Sequence, residues 1–180
     1  MNRQVHNRTK APRRVLRASG RSPELHCMLI PAGTETLLLP TSVMVEVIDF
    51  VQPASIENSP PWLLGQVEWE SRQVPVFSFG DLINGGTPKP PGSRAKIMIL
   101  KSLAEKGRVP YLGLLLGGLP KPVTVQSDSL EQTGDEKKAL GVFSHVRLED
   151  GAAIVPDLDR LTHLVTHAAF GALPITRLDD

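Results

Sequence analysis

Between Val142 and Val155 the chain alternates apolar and polar side chains on either side of Asp150-Gly151, and few folds accept that pattern. Val142, Ser144, Val146 and Leu148 interleave with Phe143, His145, Arg147 and Glu149, the period-two signature of a half-buried strand. Asp-Gly supplies the two positive-φ positions that a tight hairpin turn needs. An isolated hairpin is marginal in water, so further strands must complete a sheet around this one.

Those strands are written upstream. Leu25, Cys27 and Leu29 share one side of the segment Glu24 to Ile30, Pro31 to Thr34 reads as a turn, and Thr36 to Pro40 resumes extended chain. Val43 to Ile48 is β-branched and places Glu46 between apolar neighbours. Pro60 to Gly65 reads as one helical turn, with proline at its start and glycine at its end. Val67 to Trp69 and Gln73 to Phe77 follow as strands, with Pro75 admissible only at an edge or a bulge. Gly85 to Ser93, rich in Gly and Pro, reads as a linker between two halves. Beyond it, Ala95 to Leu100, Tyr111 to Leu116 and Val123 to Val125 read as strands. One long helix is predicted, capped by Asp157, striped by Leu158, Leu161, Leu164, Val165 and Ala168, and ended by Gly171. Short strands in this number suggest small closed barrels, each too small to stand without the other. Aromatics are 4% of the chain and apolar residues 41%, so aliphatic side chains must build the core.

Charge divides the chain. Seven of its 20 basic residues (Arg3, Arg8, Lys10, Arg13, Arg14, Arg17 and Arg21) precede Pro23 with no acid among them, leaving 13 against all 19 acidic residues, a net of −6. Residues 1–22 therefore read as a basic, disordered tail, 23–171 as the folded body and 172–180 as a C-terminal tail. The basic tail admits a nucleic-acid or anionic-lipid role, a solvated leader, or an extension upstream of a start at Met28. Without interleaved aromatics or a regular helical face, the bland readings are favoured. No apolar run approaches a membrane span or an export signal, and a single cysteine suits a reducing compartment, so a cytoplasmic location is expected.

Chemistry-bearing motifs are sparse. Gly113 to Gly118 lacks the lysine of a phosphate-binding loop, and no nucleophile elbow or pair of Cys-x-x-Cys arms occurs. His26 and Cys27, neighbours on a strand, point to opposite faces, and Cys27 reads as a buried structural thiol. Asp159, His163 and His167 align at helical spacing, but an exposed helix face without a further ligand is ordinarily solvated. No catalytic, cofactor or metal residue is assigned, and the chain is expected to act by binding.

Taken together, Leu38-Leu39-Pro40, Val45-Glu46-Val47, Pro61-Trp62-Leu63-Leu64-Gly65 and Val74-Pro75-Val76 resemble the first half of the CheW-like domain of bacterial chemosensory coupling proteins. Gly113-Leu114-Leu115, Asp150-Gly151 and Ile154-Val155-Pro156-Asp157-Leu158 resemble its second half. The resemblance implies a mainly β fold of two intertwined five-stranded SH3-like barrels with a C-terminal helix. It also implies an adaptor between the cytoplasmic tip of a chemoreceptor and the regulatory domain of a CheA-type histidine kinase. On that resemblance Met44, Glu46 and Glu70 fall at partner-facing positions, while Trp62, Leu64, Val67, Val74 and Val76 belong to the core. The family's usual Arg-Gly is replaced here by Glu70-Ser71, which reverses a charge and points to a divergent, accessory member, such as those serving type IV pili and twitching motility. The alternative is a small-barrel module that binds nucleic acid through the basic tail.

Overall fold

A computed structural model describes residues 23–85, 90–103, 109–126, 130–133, 139–149 and 151–171. The expected tails, 1–22 and 172–180, lie outside the described residues, as does Asp150 of the hairpin turn. In chain order the strands are β1 (Glu24–Ala32), β2 (Glu35–Pro40), β3 (Met44–Asp49), β4 (Leu63–Trp69), β5 (Arg72–Phe77), β6 (Lys96–Lys101), β7 (Tyr111–Leu116), β8 (Lys121–Gln126), β9 (Glu131–Gln132), β10 (Val142–Leu148) and β11 (Gly151–Pro156). Helix α1 (Phe79–Asn84) follows β5 and α2 (Leu158–Phe170) closes the chain.

Two sheets result, ordered β8-β1-β2-β11-β10-β9 and β3-β6-β7-β5-β4. The fold is mostly β, as expected, with the two-residue β9 adding a sixth strand to the first sheet. Each sheet mixes both halves of the chain. Parallel pairing of Ile154 with Leu37 joins β11 to β2, and Val76 and Phe77 pair with Gly113 and Leu114 to join β5 to β7. The strands flanking the Gly/Pro-rich segment, β5 and β6, lie in the same sheet. That segment is thus a connection within one sheet; the halves are joined by strand exchange.

Burial explains why several strands are apolar without a break. Ile97, Met98, Ile99 and Leu100 are all buried, as are Leu37, Leu38 and Leu39. Successive side chains point to opposite faces, so a strand buried on both faces loses its alternation. Met98 and Leu100 join a central core with Ile30, Leu37, Leu39, Phe77, Leu112 and Leu114. Ile97 and Ile99 face a second core inside the five-stranded sheet, with Val67, Trp69, Val74 and Val76. Cys27, Leu38, Val125, Val146 and Ala153 form a third inside the six-stranded sheet. Each sheet therefore curls around a small core of its own and shares the central one.

Helix α2 lays Leu161 and Val165 onto the central core. The Asp157 carboxylate accepts from the Arg160 N–H at 3.0 Å, and the Gly171 N–H donates to the His167 carbonyl, so both predicted caps form. Helix α1 is absent from the sequence-based expectations. Its cue is Ser78, three residues before Asp81, whose hydroxyl accepts from the Asp81 N–H.

Two expectations fail locally. Pro60 to Gly65 is no helical turn: the Leu63 N–H donates to the Pro60 carbonyl at 3.0 Å, and β4 begins at once. Strand pairing of Leu63 with Phe77 and of Gly65 with Val76 outweighs the local Pro/Gly signal, and both residues are buried in extended chain. Pro75 is on no edge, since β5 lies between β7 and β4. It is tolerated because the parallel pairing with β7 starts one residue later, at Val76.

Candidate functional site

Met44 and Glu46 are two apart on β3, so simple alternation would set them on one face. A bulge intervenes: Met44 pairs with Leu100, Glu46 with Ile99, and the register shifts between them. Leu100 belongs to the central core and Ile99 to the core of the five-stranded sheet. Met44 is accordingly half-buried against the central core, whereas Glu46 is directed toward the mouth of the smaller one.

At that mouth the Trp69 indole N–H donates to Oε2 of Glu46 at 2.9 Å. Trp69 is on β4 and Glu46 on β3, the two outer strands of the five-stranded sheet, so this bond spans the seam where the sheet closes on itself. A second clasp lies further along, where Ala54 and Gln66 exchange backbone N–H···O bonds of 2.8 Å each. Gly65 permits this approach. It has φ +134, and a Cβ there would lie 2.1 Å from the Ala54 carbonyl oxygen. The Trp69 ring meets Tyr111 edge-to-face at 5.0 Å, and the Arg72 guanidinium lies 5.8 Å from the centroid of Tyr111.

Glu70 and Ser71 form the two-residue loop between the paired Trp69 and Arg72. Their φ values, 47 and 59, are both left-handed, as a type I′ hairpin turn requires. Such turns favour Asn and Gly, and a non-glycine residue there costs ~1–2 kcal/mol. Replacing Ser71 by glycine is therefore expected to raise stability by about 1 kcal/mol, seen as a higher urea midpoint at unchanged slope.

Glu46 and Glu70 are thus brought to one end of the five-stranded sheet, with Trp69 between them in the chain and bonded to the first. Met44 is directed away from them by the bulge. Val45, Val47 and Val51 are exposed along and after β3, at 40%, 36% and 58%. Glu68 and Glu70, both exposed, add charge beside them. Lys96 is engaged with Asp49, whose carboxyl it holds below the usual range. Sequence reasoning missed Trp69 as the ligand of Glu46. A tryptophan one residue before the turn was the available cue, but nothing local says which carboxylate it meets. Of the expected core residues, Val67, Val74 and Val76 are buried, while Trp62 and Leu64 are half-buried.

The buried polar side chains Ser78 and Thr162 serve the helices, Thr162 Oγ1 donating to the Leu158 carbonyl at 2.8 Å. Burial pushes the Cys27 thiol pKa up, which keeps it protonated and unreactive. Nε2 of His163 is 3.7 Å from Asp159 on the exposed face of α2, and among the described residues no group of His, Cys, Asp or Glu is placed to hold a metal. No helix among them is long and apolar enough to cross a membrane.

Fold and topology define a class: two-sheet β proteins with interleaved halves. A family model of the CheW-like domain matches residues 26–165, and the chain belongs to that family. Among solved structures, that of the scaffolding protein TtCheW from Thermoanaerobacter tengcongensis is similar, with a TM-score of 0.66 at 15% identity, covering 85% of this chain and 99% of that one. At that identity the likeness is one of fold. No curated protein sequence matches the chain.

Proposed function

We propose that the chain is a non-catalytic, cytoplasmic adaptor of a bacterial chemosensory complex, coupling the cytoplasmic tip of a chemoreceptor to the regulatory domain of a CheA-type histidine kinase. The observation that carries this reading is the CheW-like match over residues 26–165. The end of the five-stranded sheet agrees with it in kind. Exposed valines offer apolar area, and Glu46 and Glu70 set the charge a partner must meet. Glu46 is held by Trp69 and so arrives with its orientation already set, which lowers the entropy lost on docking. Signal passes by differential binding: a partner that prefers one arrangement of the kinase shifts it without any bond being made. The Glu70-Ser71 turn marks a divergent member, and we assign it to an accessory system of the pilus-associated kind.

The test is capture of partners from a lysate of the source organism, with bound proteins identified by mass spectrometry. Wild type is expected to retain a chemosensory kinase or receptor. Glu70→Arg, which leaves the core untouched, should reduce that retention about tenfold or more, as like charges placed opposite cost several kcal/mol. Glu46→Gln, which keeps an acceptor for Trp69, should weaken it less. Retention equal in all three removes this end of the sheet from the interface; loss of kinase and receptor from wild type removes the adaptor reading.

A further inference from the structure

One residue from each strand of the five-stranded sheet meets at the end where Glu46 stands. Trp69 pairs directly with Arg72, and Lys101 with Tyr111, and directly paired residues project to the same face. Alternation along the strands carries Arg72 onto the face of Val74 and Val76, and Lys101 onto that of Ile97 and Ile99. That face encloses the sheet's own small core, against which Tyr111 packs half-buried. Glu46 completes the rim through its bond to Trp69. In strand order the rim runs Glu46, Lys101, Tyr111, Arg72 and Trp69 before it returns to Glu46.

The two cations are exposed and flank the phenol ring. The Arg72 guanidinium lies 5.8 Å from the centroid of Tyr111, and the edge of that ring is in turn backed by Trp69 at 5.0 Å. A guanidinium laid on an aromatic face is held in place and still keeps its N–H donors. Among the described residues neither Arg72 nor Lys101 forms an ion pair; those present join Lys96 to Asp49 and His163 to Asp159. Glu46, the one carboxylate of the rim, is engaged by the Trp69 indole. Glu68 pairs with Gln73 on the opposite face of the sheet and points away.

A planar fork beside a point charge, over an aromatic floor, fits a carboxylate better than any neutral group. We propose that this rim seats an acidic side chain of the partner, its carboxylate clamped by Arg72 and Lys101 above the Tyr111 ring. The inference rests on the adaptor reading for the existence of a partner and adds that partner's charge pattern: an acid against the rim and a base against Glu70 at the neighbouring turn. Opposite charges side by side fix the register of docking, which a patch of one sign does not. Trp69 acts as a positioning residue, engaging Glu46 on one side and backing the Tyr111 ring on the other.

The test is NMR of the full chain titrated with N-acetyl-Gly-Glu-Gly amide at ~10 mM salt, with the Gln peptide of equal length as control. The Glu peptide is expected to shift the Arg72 Nε–H resonance and the amides of Arg72, Lys101 and Tyr111 saturably, and the Gln peptide to leave them in place. Arg72→Gln and Lys101→Gln should each weaken binding about fivefold, the size of one exposed ion pair, and ~1 M salt should abolish it. Both side chains are exposed, and unmoved amides in β8 to β11 show that the variants remain folded. Equal shifts from the two peptides overturn the proposal, as do Glu-peptide shifts that persist in the Arg72→Gln/Lys101→Gln variant. Absence of any shift at the rim overturns it too. Because the titration contains neither kinase nor receptor, its outcome is independent of the capture experiment, on which the adaptor reading alone depends.

Discussion

Replacing Gly65 by alanine is expected to lower stability by about 3–5 kcal/mol, enough to unfold a marginal domain. Two penalties act together. A φ of +134 is a conformation that side-chain-bearing residues rarely adopt, and the new Cβ would meet the Ala54 carbonyl oxygen at 2.1 Å. That oxygen is backbone, held by the Gln66 N–H at 2.8 Å, so it cannot yield without opening the clasp between residue 54 and β4. Gly151 separates the two effects. Its φ is +126, but nothing lies within 4 Å of where its Cβ would stand. Gly151→Ala should cost only the conformational part, about 1–2 kcal/mol. Urea unfolding of both variants decides between strain and collision: equal losses would mean that the close approach contributes nothing.

Removing the Trp69 side chain should have an effect of similar size, about 3–5 kcal/mol for Trp69→Ala. Its ring fills the small core with Val67, Val74, Val76, Ile97 and Ile99 and packs edge-on against Tyr111. Trp69→Phe keeps most of that packing and deletes the N–H that Glu46 accepts, so it should cost about 1.5–3 kcal/mol. Combining Trp69→Phe with Glu46→Ala, which removes the acceptor, in a thermal or urea double-mutant cycle is expected to give a coupling of about 1 kcal/mol or more. A coupling near zero would mean that the indole and carboxylate contribute independently, and that the seam is closed by packing and the Ala54–Gln66 bonds alone.

Much of this architecture was legible in the sequence because it is local. The alternation from Ser144 to Leu148 and the caps at Asp157 and Gly171 are decided by near neighbours and appear as expected, whereas a bulge between Val142 and Ser144 turns Val142 to the central core. The CheW-like segments, matched in order, carried the family and with it the mostly β fold. What stayed hidden depends on distant partners. Gly65 looked like the end of a helical turn because its reason for being glycine is the carbonyl of Ala54, which only the folded chain brings near. The resemblance sets both Met44 and Glu46 at partner-facing positions; that a bulge between them turns the two to different faces leaves no mark in residue type. Glu70-Ser71 was readable as a departure in charge; that both residues are left-handed follows from a two-residue loop fixed by the pairing of Trp69 with Arg72.

The exchange of strands between the two halves has a consequence for the order in which the protein can be made. During synthesis β1 and β2 leave the ribosome first, with Leu37, Leu38 and Leu39 all destined for burial. These two strands pair with each other, but the second neighbour of β2 is β11, through Leu37 and Ile154, and that of β1 is β8. The five-stranded sheet is complete by Leu116, but the central core and that of the six-stranded sheet cannot close until β10, β11 and α2 are available. Their folding must therefore follow synthesis of nearly all these elements and proceed through non-local contacts, the slow regime for β proteins. Until then an apolar ribbon is open to misassembly with other nascent chains. For the same reason the protein cannot be divided into two working modules at its middle. A fragment ending near residue 90 would hold β1 and β2 with no sheet to join, and the complementary fragment would lack the strands that cover its cores.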